Sequence, residues 1–396
     1  MGTENSNSSI VERASKVIMS TYGRFPIALV KGEGCWAWDA DGKKYLDLVA
    51  GIAVNCLGHA HPRMVKAIAE QASQIIHTSN LYQILPQIEL AETLTKLSFA
   101  DKAFFCNSGA EANEGAVKLA RKYQKKKNKP ERYRVVCMQN AFHGRTLAMI
   151  NATGQEKYRK GFEPPVDGFL HVPFGNFEAL EKVADDTVAA VLLEPIQGEG
   201  GIVLAPDEYL KKVRKFCDER GLLLIYDEVQ TGVGRTGKMF GYEHSGVAPD
   251  VMTLAKCLAG VVPIGAILAK GEAANVFEPG DHAATFGGNH LATHVAREVI
   301  QVLQDGVLKN CQEVGAYFLD RLKELQKKHP VISDVRGKGL MIGAQLDRPG
   351  KEYVTKAMEK GLLINCTQES VLRFVPPLIL SKAEVDHAIK ILDEIL

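Results

Sequence analysis

The chain has 396 residues, of which 46% are hydrophobic and 24% charged, and its 48 Lys and Arg residues nearly balance its 47 Asp and Glu residues. This predicts two or three globular domains with a sizeable core, and the balanced charge excludes the global field that nucleic acid or acidic membranes would need. The longest apolar runs fall short of the ~18 residues of a membrane span. Its eight cysteines form no Cys-x-x-Cys pair, which favours reduced thiols over disulfides or zinc. We therefore expect a soluble, cytoplasmic protein.

The first hundred residues predict mainly helices. Residues 1–9 are rich in Asn and Ser and are expected to be disordered. Asp41-Gly42 is typical of a hairpin turn and predicts a small strand pair within residues 28–48. Apolar residues at helical spacing predict helices over residues 10–20, 62–76 and 86–97.

Strands and helices then alternate along the chain. Predicted strands lie at residues 102–106, 134–138, 188–194 and 222–227, with a further apolar segment ending at Lys256. The intervening helices end near Tyr123 and span residues 206–220. This rhythm is typical of a mostly parallel sheet covered by helices, the α/β class.

The last hundred residues predict a smaller α+β unit. A long amphipathic helix is expected over residues 291–328, followed by strands within residues 334–346, 362–366 and 372–375. The boundary falls near Asn289. We therefore expect a large domain over residues 49–288, a small C-terminal domain over 289–396, and an N-terminal segment, 1–48, that packs with the small domain.

Two ionisable residues end buried strands in the middle of the chain. Asp227 closes Leu-Leu-Leu-Ile-Tyr and Lys256 closes Asp-Val-Met-Thr-Leu-Ala. A charge in so apolar a setting needs a partner, and an aromatic aldehyde cofactor with a ring nitrogen gives both groups one. Taken alone, either residue could simply mark the point where a strand meets water.

A candidate anion site follows the strand at 102–106. Ser108 with Glu111 three residues later is typical of a capping box and predicts a helix start. Gly109 and Ala110 have no bulk to obstruct an anion, and the helix dipole favours a phosphate there. A plain helix cap without a ligand has the same pattern.

The glycine-rich loop after Asp227 matches a dinucleotide-binding fingerprint. Gly232-Val233-Gly234-Arg235-Thr236-Gly237 fits G-x-G-x-x-G. The residues that follow do not predict a helix, so no helix N-terminus would receive a pyrophosphate. A nicotinamide or flavin enzyme is therefore disfavoured.

Several separated motifs together resemble one family. They are Asp227-Glu228-Val229-Gln230-Thr231-Gly232, Gly234-Arg235-Thr236-Gly237, Leu254-Ala255-Lys256 and Leu372-Arg373-Phe374-Val375-Pro376-Pro377. In this order they are similar to the signatures of the class III (ω-amino) aminotransferases, which use pyridoxal 5'-phosphate. The resemblance implies the fold type I of such transferases, with a mostly parallel seven-stranded sheet in the large domain and a smaller α+β C-terminal domain.

The resemblance also implies how the cofactor is held. Lys256 would bind it covalently and transfer protons, while Asp227 would face the ring nitrogen. Phe142 would stack on the ring and Gln230 would bind its hydroxyl group. His143 adjoins Phe142 in the same motif and is a further cofactor-binding candidate; the role of base stays with Lys256.

The resemblance also implies which residues bind the phosphate group of the cofactor. Ser108, Gly109 and Ala110 lie in a segment similar to the phosphate-binding motif of the family. Thr285 matches a threonine that reaches the same phosphate from the neighbouring subunit. A homodimer with shared active sites is therefore implied.

Substrate carboxylates need guanidinium partners. Arg373 lies in an apolar strand, where an arginine needs a carboxylate from the protein or from a ligand. By resemblance it pairs with Glu199 while an amine is bound and then takes the α-carboxylate of 2-oxoglutarate. Arg145 would hold the α-carboxylate of the amine donor.

Other motifs resemble the acetylornithine branch of the family. These are Tyr22-Gly23-Arg24-Phe25-Pro26, Gly51-Ile52-Ala53-Val54-Asn55 and Asn365-Cys366-Thr367. The implied reaction is ping-pong transfer of the δ-amino group of N2-acetylornithine to 2-oxoglutarate, as in arginine biosynthesis. Ornithine, succinylornithine and 4-aminobutyrate stay open as donors, and an aminomutase or a decarboxylase is a weaker alternative.

Some residues depart from the family pattern or imitate other sites. Cys257, Ala259 and Val261 stand where glycines are usual, and His290 stands where proline is usual. These departures leave the cofactor affinity and the shape of the amine pocket open. His59 and His61 resemble a metal pair, but we interpret them as turn residues and expect no metal.

Overall fold

In the computed structural model, residues 5–396 are described. The α-helices are α1 Asn7–Val17, α2 Ala50–Ala53, α3 Pro62–Ala72, α4 Leu85–Leu97, α5 Gly109–Lys126, α6 Leu147–Ala152, α7 Phe177–Val183, α8 Asp207–Arg220, α9 His290–Val302, α10 Leu308–Lys328, α11 Lys351–Glu359 and α12 Lys382–Ile395. The strands are β1 Leu29–Glu33, β2 Trp36–Asp39, β3 Lys44–Asp47, β4 Lys102–Cys106, β5 Arg134–Met138, β6 Phe169–Val172, β7 Val188–Leu193, β8 Ile196–Gln197, β9 Val203–Leu204, β10 Leu223–Asp227, β11 Val251–Leu254, β12 Gly265–Ala269, β13 Ile332–Lys338, β14 Met341–Leu346, β15 Leu362–Leu363, β16 Asn365–Thr367 and β17 Val371–Phe374.

The centre of the fold is a seven-stranded sheet in the order β4-β12-β11-β10-β7-β5-β6. The five strands β11, β10, β7, β5 and β6 are parallel to one another. Strand β12 runs antiparallel to both its neighbours, β11 and β4. Every residue of β7 and β10 is buried, because apolar clusters cover both faces of the sheet. The predicted mostly parallel seven-stranded sheet is confirmed.

The carboxyl edge of this sheet gathers the polar candidates. β10 ends at Asp227, which pairs in register with Thr253 of β11. β11 ends two residues before Lys256, and β7 ends one residue before Glu194. Because parallel strands end at the same edge, these side chains meet at the place where open α/β sheets bind ligands.

The C-terminal unit is built on an antiparallel sheet in the order β13-β14-β17-β16. Arg373 lies in β17 between β14 and β16. A separate sheet joins β1, β2 and β3 to β15 near the C-terminus, with β15 parallel to β3. This pairing supports an N-terminal segment that packs with the small domain, although the domain boundaries stay a prediction.

The N-terminal prediction was wrong in part. Residues 1–4 lie outside the described residues, but residues 7–9 belong to α1 rather than to a disordered start. The Ser6 hydroxyl caps this helix by accepting from the Ser9 amide at 3.3 Å. The predicted strand pair at 28–48 is a set of three strands, with Asp41-Gly42 in the turn between β2 and β3.

The predicted long helix at 291–328 is interrupted. Residues 303–307 separate α9 from α10, and Gly306 has φ 137°, which a helix does not allow. Glycine tolerates this conformation, so the chain bends there. Among residues 5–396, no helix is both long and apolar enough to cross a membrane.

Candidate active site

A cavity of about 400 Å³ opens at the carboxyl edge of the central sheet. Nine residues singled out from the sequence lie in its lining: Ser108, Gly109, Ala110, Phe142, His143, Arg145, Asp227, Gln230 and Lys256. Larger cavities of about 630 and 680 Å³ lie elsewhere. The first has no lysine in its lining, and the second has lysines and a carboxylate but no helix N-terminus. The chemistry of the lining therefore identifies the candidate active site.

Lys256 enters the cavity just after β11. Its backbone has φ 42°, a left-handed conformation that costs free energy for a residue with a Cβ and that is common at functional sites. Within residues 5–396, its amine has no hydrogen bond or ion pair. Burial lowers the pKa of Lys256, partly opposed by the carboxylate of Glu199. A lowered pKa makes the neutral, nucleophilic amine more abundant near neutral pH.

Asp227 is held by three N–H donors. Its Oδ2 accepts from Asn113 Nδ2 and from His143 Nδ1, both at 2.7 Å, and its Oδ1 accepts from the Val229 amide at 3.0 Å. Asn113 is itself fixed, because its Oδ1 accepts from the Thr253 hydroxyl at 2.7 Å. The carboxylate therefore keeps one orientation at the end of β10.

Asn113 and Thr253 were missed by sequence reasoning. Asn113 lies four residues after Gly109 in α5, so it shares a helix face with the phosphate candidates. That spacing was the available signal. Thr253 is one of several uncharged residues in a buried strand, and nothing in the sequence distinguishes it.

Two buried polar atoms beside the cavity lack a partner within the described chain. They are His143 Nε2 and Gln230 Oε1. A buried carbonyl oxygen without a donor is costly unless a ligand or water supplies one. The Gln230 amide oxygen can thus accept a hydroxyl group of a molecule in the cavity.

The N-terminus of α5 forms the anion end of the cavity. The Ser108 hydroxyl accepts from the Glu111 amide at 3.2 Å. The Glu111 carboxylate, however, accepts from the Asn107 amide at 2.5 Å instead of returning to Ser108, so the predicted reciprocal capping box is wrong in its second half. A Cβ on Gly109 would lie 2.7 Å from Val229 Cγ1, so only glycine fits there. The small residues leave the helix amides open to an anion.

Phe142 and Arg145 line the outer part of the cavity. The Arg145 guanidinium lies 4.0 Å from the centre of the Tyr158 ring and 5.6 Å from that of Phe142. Arg145 is exposed, and no carboxylate of residues 5–396 pairs with it. Its charge is therefore available to an anionic ligand.

Arg373 and Glu199 form an ion pair beside the cavity rather than in its lining. Arg373 is only 1% exposed, and its Nε also donates to Asn365 Oδ1 at 3.2 Å. Burial raises the pKa of Glu199, but the guanidinium outweighs that effect and holds the pKa below its ordinary value. The predicted pairing of these two residues is present in the structure.

Glu194 is a further cavity residue that sequence reasoning missed. Glu194 comes directly after β7, just as Asp227 is the last residue of β10. This position of a charged residue at the end of a buried strand was the available signal in the sequence. Its two carboxylate oxygens accept from the Phe142 and Gly198 amides, each at 3.0 Å. Burial, followed by the charge of Asp227, raises the pKa of Glu194 to about 7.

The remaining candidates lie away from the cavity. Thr285 is exposed and does not line it. Of the departures from the family pattern, Val261 contacts the cavity, whereas Cys257, Ala259 and His290 are buried elsewhere. They therefore leave the cavity walls unchanged, apart from Val261.

The two other sequence patterns have structural explanations. His59 Nε2 contacts Asp47 Oδ2 at 3.0 Å in the loop before α3, and no cluster of metal-ligating residues was found within residues 5–396. In the glycine-rich loop, Arg235 is fully buried and donates to the carbonyls of Leu340 and Pro376 at 3.0 and 2.6 Å. This loop therefore connects the two units of the chain.

Comparisons with known proteins agree with this site. The profile of the class III aminotransferases matches residues 17–396. The chain belongs to the class III aminotransferases. The acetylornithine aminotransferase of Caldanaerobacter subterraneus subsp. tengcongensis is 57% identical over 383 residues, which cover 96% of this chain and 97% of the relative. That of Methanocaldococcus jannaschii is 51% identical over 387 residues, 97% of each chain.

Solved structures agree as well. An ornithine aminotransferase of Toxoplasma gondii, with pyridoxal phosphate partly occupying its active site, superposes with a TM-score of 0.95 at 32% identity and covers 99% of this chain and 94% of its own. This class III aminotransferase uses pyridoxal phosphate as its cofactor. The site fits that cofactor, because it presents an unpartnered amine, a fixed carboxylate, an unpaired amide oxygen and an open helix N-terminus in one cavity.

Proposed function

We propose that this aminotransferase transfers the δ-amino group of N2-acetylornithine to 2-oxoglutarate by a ping-pong mechanism. The products are N-acetylglutamate 5-semialdehyde and glutamate, as in arginine biosynthesis. The observation that carries the reaction type is the unpartnered Lys256 amine in one cavity with the fixed Asp227 carboxylate. The acetylornithine aminotransferases at 57% and 51% identity over nearly the whole chain support this donor.

Each cofactor contact is assigned to a residue of the cavity. Lys256 would hold pyridoxal phosphate covalently, Asp227 would keep its ring nitrogen protonated, and Gln230 would accept from its hydroxyl group. Phe142 would cover the ring, while His143 would orient Asp227 from behind. Bound in this way, the cofactor supplies an electron sink that makes the C–H bond beside the substrate nitrogen acidic.

The phosphate would lie at the start of α5. Ser108, Gly109 and Ala110 surround the helix N-terminus, where the dipole and the free amides favour an anion. Thr285 of a second subunit would complete the phosphate site.

The protein supplies the proton transfer. The Lys256 Nζ would remove the proton from the substrate carbon and return it at the cofactor. Its lowered pKa favours the neutral form that can accept a proton near neutral pH.

The two substrates would be distinguished by charge. Arg145 would bind the α-carboxylate of acetylornithine. Glu199 would neutralise Arg373 while the ω-amine reacts, and 2-oxoglutarate would later displace Glu199 from Arg373. An aminomutase has no need for an external acceptor, so the paired Glu199 and Arg373 favour transamination.

We also propose a cytoplasmic homodimer with shared active sites. Exposed apolar side chains lie in two segments that contact each other through Asn80 Nδ2 and the Gly287 carbonyl at 2.9 Å. They include Leu81 at 86% exposure and Phe286 at 61%, beside the exposed Thr285. Such a patch is typical of an interface. All eight cysteines are free thiols, which supports a reducing compartment.

A direct assay tests the proposal. Purified protein loaded with pyridoxal phosphate is given 2-oxoglutarate with N-acetylornithine, N-succinylornithine, ornithine or 4-aminobutyrate, and glutamate release is measured. We expect the fastest release with N-acetylornithine. Lys256→Ala should abolish the visible absorbance of the loaded protein, whereas Lys270→Ala, on the surface of the same domain, should keep it. A wild-type protein that takes up no cofactor would contradict the proposal.

A further inference from the structure

Glu194 is a buried carboxylate whose partners are backbone amides. It is 4% exposed, and no Lys, Arg or His within residues 5–396 forms an ion pair with it. One oxygen accepts from the Phe142 amide and the other from the Gly198 amide, each at 3.0 Å. A single side chain thus joins two loops at the cavity.

The two loops carry different parts of the site. Phe142 belongs to the loop that faces the cofactor cavity, and Gly198 immediately precedes Glu199, the partner of Arg373. The Glu199 carbonyl also accepts from Gln368 Nε2 at 2.9 Å and from the Thr367 hydroxyl. The hydrogen bond from the Gly198 amide to Glu194 is therefore one of the contacts that position Glu199, and it is the one that depends on the charge of a cavity residue.

We propose that ionised Glu194 is a positioning residue that holds Glu199 on Arg373 and thereby sets the preference of this enzyme for ω-amines over α-amino acids. The inference rests on the proposed function, in which Arg373 binds an α-carboxylate only after Glu199 leaves it. The ionised carboxylate offers a charged acceptor oxygen to each of the two amides, Phe142 and Gly198. An amide side chain places an N–H donor against one of the two backbone amides, and protonation of the carboxylate weakens both hydrogen bonds because the acceptor loses its charge, so the link between the loops is weakened in either case.

The charges around Glu194 make this link sensitive to pH. Asp227, His143 and Lys256 line the same cavity and interact electrostatically with Glu194. Burial and then Asp227 raise the pKa of Glu194 to about 7, against the opposite effects of His143 and the two backbone amides. Glu199 has a lowered pKa and stays ionised. As the pH falls through about 7, the hydrogen bonds from the Phe142 and Gly198 amides to Glu194 therefore weaken while Glu199 keeps its charge.

The experiment compares two donors with the cofactor-loaded enzyme. Glutamate and N-acetylornithine are reacted separately in the amine half-reaction at pH 6, 7 and 8, followed by the absorbance of the bound cofactor. In the wild type, the ratio of kcat/KM for glutamate to that for N-acetylornithine should rise as the pH falls. In Glu194→Gln this ratio should be about tenfold higher at pH 8 and should no longer depend on pH, as expected for one lost hydrogen bond to a charged acceptor.

Glu228→Gln is the matched control. Glu228 is equally buried, also has a pKa raised to about 7, and accepts from the Gly241 and Tyr242 amides, but it does not line the cavity. This variant should keep the wild-type ratio at each pH. An unchanged ratio in Glu194→Gln, or an equal shift in Glu228→Gln, would overturn the proposal.

Two further outcomes distinguish a failure of the Glu194 proposal from a failure of the proposed function. If Glu194→Gln does not fold, the wild-type series decides, and a ratio that is constant from pH 6 to 8 overturns the role of Glu194. A wild type that transfers amino groups from neither donor instead contradicts the proposed function.

Discussion

On the Asp227 side of the cavity, both carboxylate oxygens have N–H donors from the protein, and one of these donors, Asn113, is itself fixed by Thr253. On the side of the guanidinium groups, Arg145 has no protein carboxylate and Arg373 has one that a substrate would have to displace. The first region is preorganised for one permanent ligand. In the second region the guanidinium groups can change their carboxylate partners, as the proposed reaction with two successive carboxylate substrates requires.

The largest expected effect comes from breaking the preorganised side. Asp227→Asn replaces one of the two acceptor oxygens by an amide donor, so at least one of the N–H groups that hold Asp227 loses its acceptor, and it removes the charge that would keep the ring nitrogen protonated. We expect kcat to fall by about 100- to 1,000-fold. Asp250→Asn is the control, because Asp250 is a partly buried acid at the opposite, amino end of β11. Steady-state kinetics in which both variants lose activity equally would show that Asp227 acts only on stability.

On the exchangeable side, Arg145→Gln should affect binding rather than chemistry. We expect KM for N-acetylornithine to rise by about 10- to 100-fold with kcat nearly unchanged, because one charged contact to a carboxylate is lost. The unfolding midpoint should change little, since no carboxylate of residues 5–396 pairs with Arg145 and only its exposed contacts with the Tyr158 and Phe142 rings are lost. Arg159→Gln, which lies one residue beyond Tyr158 and outside the cavity lining, is the matched control. A fall in kcat alone would contradict this assignment.

A smaller effect should follow from narrowing the phosphate end. In Gly109→Ala the new Cβ would lie 2.7 Å from Val229 Cγ1, so the start of α5 must shift. We expect about tenfold weaker binding of pyridoxal phosphate, measured by equilibrium titration of the apoprotein. Gly23→Ala, where a Cβ would have nothing within 4 Å, should leave the affinity unchanged. Equal affinity in both variants would place the phosphate elsewhere.

The same contrast explains what the sequence could predict. Asp227 and Lys256 could be predicted because a charged residue at the end of an apolar segment is conspicuous. The alternation of strands and helices predicted the parallel sheet. Strand β12 and the break at Gly306 were not predicted, because a run of five apolar residues has no periodicity and an isolated glycine inside a helical pattern is often tolerated. Asn113 and Glu194 were missed because their roles depend on partners that are distant in sequence, the Asp227 carboxylate for Asn113 and the Phe142 amide for Glu194.

The smallest effect concerns stability and pH. The pKa of Glu199 lies below its ordinary value of 4.5, because Arg373 outweighs burial, so the ion pair stabilises the fold above that pH and is lost as the pH falls through the lowered pKa. The contribution of Glu228 to stability changes with pH in the opposite direction. Its pKa is raised to about 7, so this contribution falls as the pH rises from 4.5 to about 7. In urea unfolding, Glu199→Gln should cost about 1 kcal/mol at pH 7, a figure reduced because this side chain is 23% exposed, and less at pH 4. Glu228→Gln should instead gain stability relative to the wild type as the pH rises. If both differences have the same pH slope, Glu199 is not held by Arg373 in the folded protein, and the exchangeable side of the cavity would have to be assigned to other residues.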